Sequence, residues 1–303
     1  MDPLCELAEA ALVEQGLEAI VLDRLFSAEG CFTWRTTGAA SWSRIQEPGS
    51  AFIDSGQIEG VLVRDSPWTA GESWSDRDGQ YMQEEAQAAT LGWLRSLPCR
   101  VVGRLPAWLF FQAQPGFLTW VPMLQRAGLE TLDTVVSSDP SRLRAWQSRH
   151  PEGAVLSSLL GGSHLRVATE AEWSSVLKVA RHAPVSLKEP HGELQLACLV
   201  GQRVIWNGPS PKDAPQLEEC ILRFASAAEL DFVQIALAPV LDEARGLAVV
   251  GVEVRVQLHL FDRNAQEAIV DAVVESLTGI EGPSCGTRHS RQHASADDSR
   301  RHL

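Results

Sequence analysis

A chain of 303 residues with 45% apolar content has material for two or three packed units and their cores. Its net charge of -13, from 39 acidic against 26 basic side chains, opposes attraction to phosphate backbones and anionic lipid, so nucleic acid and membrane surfaces are poor partners. No apolar run approaches the roughly 20 residues that cross a bilayer, and the opening MDPLCELAEAALVEQG has no basic region leading into an apolar stretch, so a cytoplasmic protein is expected.

The opening reads as a helix. Leu4, Leu7, Ala8, Ala11 and Leu12 recur at helical spacing, and Gly16 ends the run before a short apolar strand, Ala19 to Leu22. No strand precedes this helix, so a βα unit would begin upstream of Met1, and without that strand a sheet edge is open to a partner. Ile58 to Val63 reads as another strand, and 66–80 is polar and loop-like. A helix from Met82 carries Ala86, Ala89, Trp93 and Leu97 on one stripe and stops at Pro98. After a strand at Arg100 to Val102, the stretch LPAWLFFQAQPGFLTWVP is too broken by proline and glycine for a regular element. Asp139-Pro140 caps a short helix through Trp146.

The middle of the chain alternates strand and turn. Ala154 to Leu160 and His164 to Val167 flank a Gly161-Gly162-Ser163 turn, and Thr169 with Glu172 forms a capping box for the next helix. Strands resume at Val185 to Lys188, Leu194 to Val200 and Arg203 to Trp206, the last two joined at Gly201-Gln202. A helix from Ala214 to Glu229, the strand FVQIALA, a long strand from Leu247 to Leu260 and a helix from Asn264 to Leu277 complete the order. The long strand alternates, with Val250, Val252, Val254, Val256, Leu258 and Leu260 on one face and Glu253, Arg255, Gln257 and His259 on the other. The segment 281–303 has almost no apolar content and is expected to be disordered.

Six scattered cysteines form no Cys-x-x-Cys pair and read as reduced and mostly buried. Lys188 reads as a surface residue. The histidines are too dispersed to argue a catalytic pair or a metal site. Trp68 and Trp74, in the polar loop, have little apolar company and are candidates for a binding surface or for contact with a second copy.

The element order, together with IEGVLVRD at 58–65, AVLSSLLGGSH at 154–164, SLKEPHGELQLACLVGQRVIW at 186–206, FVQIALA at 232–238 and VVGVEVRVQLHLF at 249–261, resembles the ATP-grasp carboxylate-amine ligases. The resemblance implies an α/β and α+β architecture. Its parts are a partial pre-grasp α/β domain at 1–135, a small strand-rich lid at 136–206, and an antiparallel C-terminal sheet with packed helices at 207–280. A ligase of this kind brings a triphosphate and a carboxylate together, and offsets their repulsion with cations, backbone N–H groups and magnesium. It then makes an acyl phosphate that an amine attacks.

By the resemblance, Gly161, Gly162 and Ser163 cradle phosphate, Glu189 lies in the hinge that positions adenosine, and Glu253 is a metal ligand. The chain departs from the pattern elsewhere: Ser157 stands at the lid lysine, Gln195 at the hairpin arginine, Ala236 at the acid of the first metal strand, and Arg255 at the asparagine after Glu253. Arg255, two residues along a strand from Glu253, shares its face and would replace the charge of a metal ion while repelling one. Without the resemblance, Glu253 and Arg255 read as a solvated strand face, and the Gly161-Gly162 pair as a hairpin turn.

Two functions are compatible with these residues. One is a degenerate, non-catalytic relative that binds a peptide, a small carboxylate or a partner protein, or assembles as a homo-oligomer. The other is an active ATP-dependent carboxylate-amine ligase in peptide modification or specialised metabolism, using ATP and magnesium, with its cation need met by Arg255 and by lysines or arginines elsewhere in the chain. A third, an unrelated α/β binding module, requires the resemblance to be accidental.

Overall fold

Asp2 accepts the Leu4 N–H at 2.8 Å and Pro3 opens helix α1 (Pro3–Glu14), so the first element starts on a side-chain cap followed by proline. The computed structural model describes residues 2–22, 25–26, 30–38, 40–46, 51–64, 76–106, 109, 116–158, 164–240 and 246–279. Residues 17–22 form no strand. The expected α/β layer is built instead by β4 (Gly60–Leu62), helix α2 (Asp76–Ser96) and β5 (Arg100–Val102), with β4 and β5 parallel, as a crossover helix requires. A Cβ added at Gly60 would lie 2.7 Å from the Leu277 carbonyl oxygen, so this strand touches the closing helix at a distance only glycine permits.

Before that unit comes a meander the sequence reading did not anticipate: β1 (Cys31–Thr37), β2 (Ala40–Gln46) and β3 (Ile53–Asp54), antiparallel in that order. Its turn runs through Gly38 at φ 60°, and Trp34 opposite Ser43 and Phe32 opposite Ile45 supply the alternation that was there to be read. Ile45, Trp93 and Leu94 form the small core beneath it. The Pro-punctuated stretch also corrects an expectation. Helix α3 (Phe117–Arg126) runs through Pro122, and the missing N–H is tolerated because Trp120 and Leu124, one turn apart, are fully buried.

The remaining chain forms two antiparallel four-stranded sheets. The first, in order β6-β9-β7-β8, comprises β6 (Thr134–Ser137), β7 (Ala154–Ser157), β8 (His164–Val167) and β9 (Val185–Lys188). Helices α4 (Pro140–Gln147) and α5 (Glu170–Ala180) cover one face, where Leu143, Trp146, Trp173, Val185 and Leu187 close a core. The capping box is formed, with Thr169 and Glu172 exchanging bonds with each other's backbone.

The second sheet, in order β11-β10-β12-β13, comprises β10 (Gln195–Val200), β11 (Arg203–Trp206), β12 (Phe232–Pro239) and β13 (Leu247–Glu253). Ala197, Leu199, Val233, Ile235 and Leu237 pack on one face against α3 and helix α6 (Ala214–Ala228). Leu196, Cys198, Val200 and Phe232 pack on the other against helix α7 (Arg263–Thr278).

The expected long strand stops at Glu253. Gln234 pairs with Glu253 as the last rung, and its Oε1 then accepts the Gln257 N–H at 2.9 Å, which turns the chain into a short 3-10 segment at Leu258–Leu260. The expected single apolar face is also broken earlier. Between Ala236 opposite Gly251 and Leu237 opposite Val249 the register skips Val250, a β-bulge, so Val250 and Val252 join different cores. Leu260 is 44% exposed. Cys31 is exposed, against the expectation for the cysteines, whereas Cys198 and Cys220 are buried.

Candidate functional site

In the β6-β9-β7-β8 sheet, Val185 and Leu187 face the helices, so period two turns Ser186 and Lys188 to the other face. Register places Val155 beside Lys188 and Arg166 beside Val155, giving a row of Thr134, Lys188, Val155 and Arg166 across four strands. Ser157 lies beside Ser186, and their hydroxyls are 3.2 Å apart and buried. Two cations thus stand on the face that carries Ser157, at strand positions about 10 Å apart by sheet spacing.

Lys188 is not the surface residue its flanking charge suggested: it is 4% exposed. Its Nζ donates to the Val250 carbonyl oxygen at 2.9 Å and sits 4.1 Å from the Phe117 ring centroid. The bulge at Val250 explains this bond, because the extra residue's carbonyl is released from the ladder and is open to a donor from the other sheet. Burial in apolar surroundings lowers the Lys188 pKa to about 8. One lysine therefore bridges the seam between the β6-β9-β7-β8 sheet and the β11-β10-β12-β13 sheet.

Glu189 follows at 7% exposure. Its N–H donates to the Asp133 carbonyl oxygen at 2.9 Å and its Oε1 accepts the Asp133 N–H at 2.9 Å, so this carboxylate clamps the segment that enters β6. Asp133 in turn lies 2.8 Å from His150 Nε2. The hinge then docks on the end of β12. The Gly192 N–H donates to the Pro239 carbonyl at 2.9 Å, and a Cβ there would meet the Pro239 ring at 2.6 Å, which accounts for glycine in the Gly192-Glu193 turn.

On the strand pair β12–β13 the residue beside Glu253 is Gln234, 3% exposed, while Ala236 lies opposite Gly251. Gln234 is the residue that sequence reasoning missed; its distance from Glu253 around an unseen bulge hid the pairing. Gln195 stands on β10. It pairs with Leu237 and so faces the α6 side, while Leu196, opposite Ala236, holds the face that Gln234 and Glu253 share. Arg255 lies beyond the strand end, so a two-residue period no longer relates it to Glu253; it lines a cavity with Arg64 and His259. The structure thus brings Glu253 and Gln234 together and keeps Glu189 with Asp133. Gly161, Gly162, Ser163, Trp68, Trp74 and the segment 281–303 lie outside the described residues.

Among the described residues no group of three or more His, Cys, Asp or Glu side chains is placed to hold a metal ion. Glu253 supplies one carboxylate, and Gln234 Oε1 already accepts a backbone N–H. A magnesium ion held here would take most of its ligands from water and from the phosphates of its nucleotide, a mode that magnesium sites use. Lys188 and Arg166 are cations on the Ser157 face of the β6-β9-β7-β8 sheet. No described helix is long and apolar enough to cross a membrane.

Compared by sequence, the chain matches no protein-family model and none of the curated proteins. Compared by structure, it is similar to the macrocyclase MdnC bound with the precursor peptide MdnA from Microcystis aeruginosa MRC, at TM-score 0.69 and 15% identity over 92% of this chain and 97% of that one. It is similar to a Chryseobacterium gregarium RiPP-associated ATP-grasp ligase in complex with ADP and a leader and core peptide, at TM-score 0.67 and 13% identity over 94% and 95%. It is also similar to the ATP-grasp ligase PsnB complexed with a phosphomimetic variant of a minimal precursor, Mg and ADP, at TM-score 0.70 and 16% identity over 92% and 95%. This chain has the ATP-grasp fold.

Proposed function

We propose that this chain binds a ribosomally made precursor peptide and joins a carboxylate to an amine on it, consuming ATP. The observation that carries the reading is the match of almost the whole chain, and almost the whole of each neighbour, to ATP-grasp proteins solved with precursor peptides. The missing lid lysine at Ser157 does not leave the site without cations, because Lys188 and Arg166 stand on the same sheet face. In such a reaction the carboxylate oxygen receives the γ-phosphoryl group from ATP, leaving ADP, the amine displaces it as phosphate, and an amide bond forms with net loss of one water from the peptide. The chain's own contribution is positioning: the lid face supplies positive charge, and the Gln234–Glu253 rung supplies one carboxylate.

A second reading, peptide binding without catalysis, is favoured by one observation. The β12–β13 strand pair offers a single carboxylate, and its amide partner already caps the next turn. Incubating the protein with ATP, magnesium and candidate precursor peptides, while following peptide mass and ADP release, separates the two. Loss of water from the peptide together with ADP formation supports the ligase. Peptide binding with neither change supports the second reading. Binding of neither peptide nor ATP at millimolar concentration refutes both.

A further inference from the structure

The meander β1-β2-β3 ends on one side in a strand edge that no described segment covers. β1 bonds to β2 through seven regular rungs, from Cys31 opposite Gln46 to Thr37 opposite Ala40, and among the described residues it has no backbone bond to any other segment. Edge strands are commonly blunted by a lysine, a proline or a bulge. β1, CFTWRTT, has none of these; its single charge is Arg35, and Thr33, Arg35, Thr36 and Thr37 are exposed. A flat edge of this length is a template for one more strand.

The edge is held in shape from behind. Phe32, Trp34 and Ile45 face the small core, where the Trp93 indole N–H donates to Ser43 Oγ and the Trp34 indole N–H to Ser41 Oγ, both at 2.8 Å. A Cβ added at Gly92 would lie 2.5 Å from the Trp34 ring, so α2 touches the strand closely. A template fixed in this way loses little freedom when a strand is added. By period two the other face carries Thr33, Arg35, Trp42 and Arg44, with Arg35 opposite Trp42 and Thr33 opposite Arg44. Arg44 is committed: its guanidinium carbon lies 5.2 Å from both the Trp42 and the Phe52 ring centroids, and it pairs with Asp54 at 2.7 Å. Arg35 has no acidic partner among the described residues. It stands one strand spacing, about 5 Å, from the position that an added strand would take.

We propose that β1 takes an extended, acidic peptide segment as a fourth strand, main chain to main chain, with a carboxylate side chain of that segment beside Arg35 and its alternate, apolar side chains beside Phe32 and Trp34. Two arginines against one aspartate on these strands, in a chain of net charge -13, give the charge complementarity. A second copy is the poorer occupant, because pairing two β1 strands with their apolar faces on the same side lays both Arg35 side chains on one face. The inference deepens the peptide reading and rests on it for the origin of the segment; the strand chemistry rests on β1 alone.

The test uses the full chain and three labelled, end-blocked peptides, STVEVTS, STVQVTS and STVKVTS, with anisotropy reading affinity and backbone hydrogen exchange reading place. The glutamate peptide is expected to bind about tenfold tighter than the lysine peptide and to protect the amides of 31–37. Arg35→Gln should weaken the glutamate peptide about fivefold, the scale of an exposed ion pair, and level the three affinities, while Arg35→Lys keeps most of the preference. The thermal midpoint of both variants should stay with the parent's, because Arg35 is exposed. Failure of every peptide to bind, binding without protection of 31–37, or an unchanged preference in Arg35→Gln would overturn the site. Protection of 31–37 that grows with protein concentration in the absence of peptide would give the edge to a second copy and overturn it as well. The ligase reading fails separately, through absence of ADP and of a peptide mass change with ATP and magnesium; strand binding that persists in that case keeps the site.

Discussion

Lys188 makes the stability of this protein depend on alkaline pH in a way that isolates one residue. Burial lowers its pKa from 10.5 to about 8, so the fold releases this proton well before the unfolded chain does. Between those values the unfolded state binds more protons, and stability therefore rises with pH; the gain is complete above about 10.5 and is lost as pH falls through about 8. The difference corresponds to about 3 kcal/mol. Cys5, Cys99 and Cys198, whose thiols are pushed up by burial, work in the opposite direction over an overlapping range, so the parent curve alone would understate the effect.

Comparison with Lys188→Met removes that interference. Methionine keeps length and apolar contact with Phe117 but cannot titrate, and it leaves the Val250 carbonyl without its donor, a loss of about 1–3 kcal/mol that is independent of pH. Urea unfolding followed by tryptophan fluorescence at pH 7, 8, 9 and 10 should show the parent gaining on the variant by about 2–3 kcal/mol across the series. Parallel curves, differing by a constant, would refute the burial argument for Lys188.

Gln234→Leu removes the acceptor of the Gln257 N–H at 2.9 Å inside a buried rung, and should lower stability by about 1–3 kcal/mol while raising hydrogen exchange at 254–260; unchanged exchange there would show that the turn holds without it. Gly60→Ala should cost about 1–3 kcal/mol in chemical unfolding, because the new Cβ would lie 2.7 Å from the Leu277 carbonyl oxygen and must push α7 off β4; a neutral result would mean that the helix end moves freely.

Local chemistry was legible in the sequence wherever a short signal acts within one turn. The Asp139-Pro140 start, the Thr169/Glu172 capping box, the Gly201 hairpin and the apolar stripe of α2 each appear where their residues call for them, because caps, turns and amphipathic faces are decided by neighbours. The order of these elements also sufficed to recognise the ATP-grasp fold. What the sequence could not decide was which side chains meet. A single bulge residue at Val250 shifts the strand register by one and sets Glu253 opposite Gln234 in place of Val233, since a one-residue slip exchanges the faces of a strand. The same bulge frees the carbonyl that draws Lys188 into the seam, and beyond the end of β13 Arg255 lines a cavity with Arg64, almost two hundred positions earlier in the chain. Those contacts depend on strand pairing and on the packing of distant segments, and only the tertiary structure sets them.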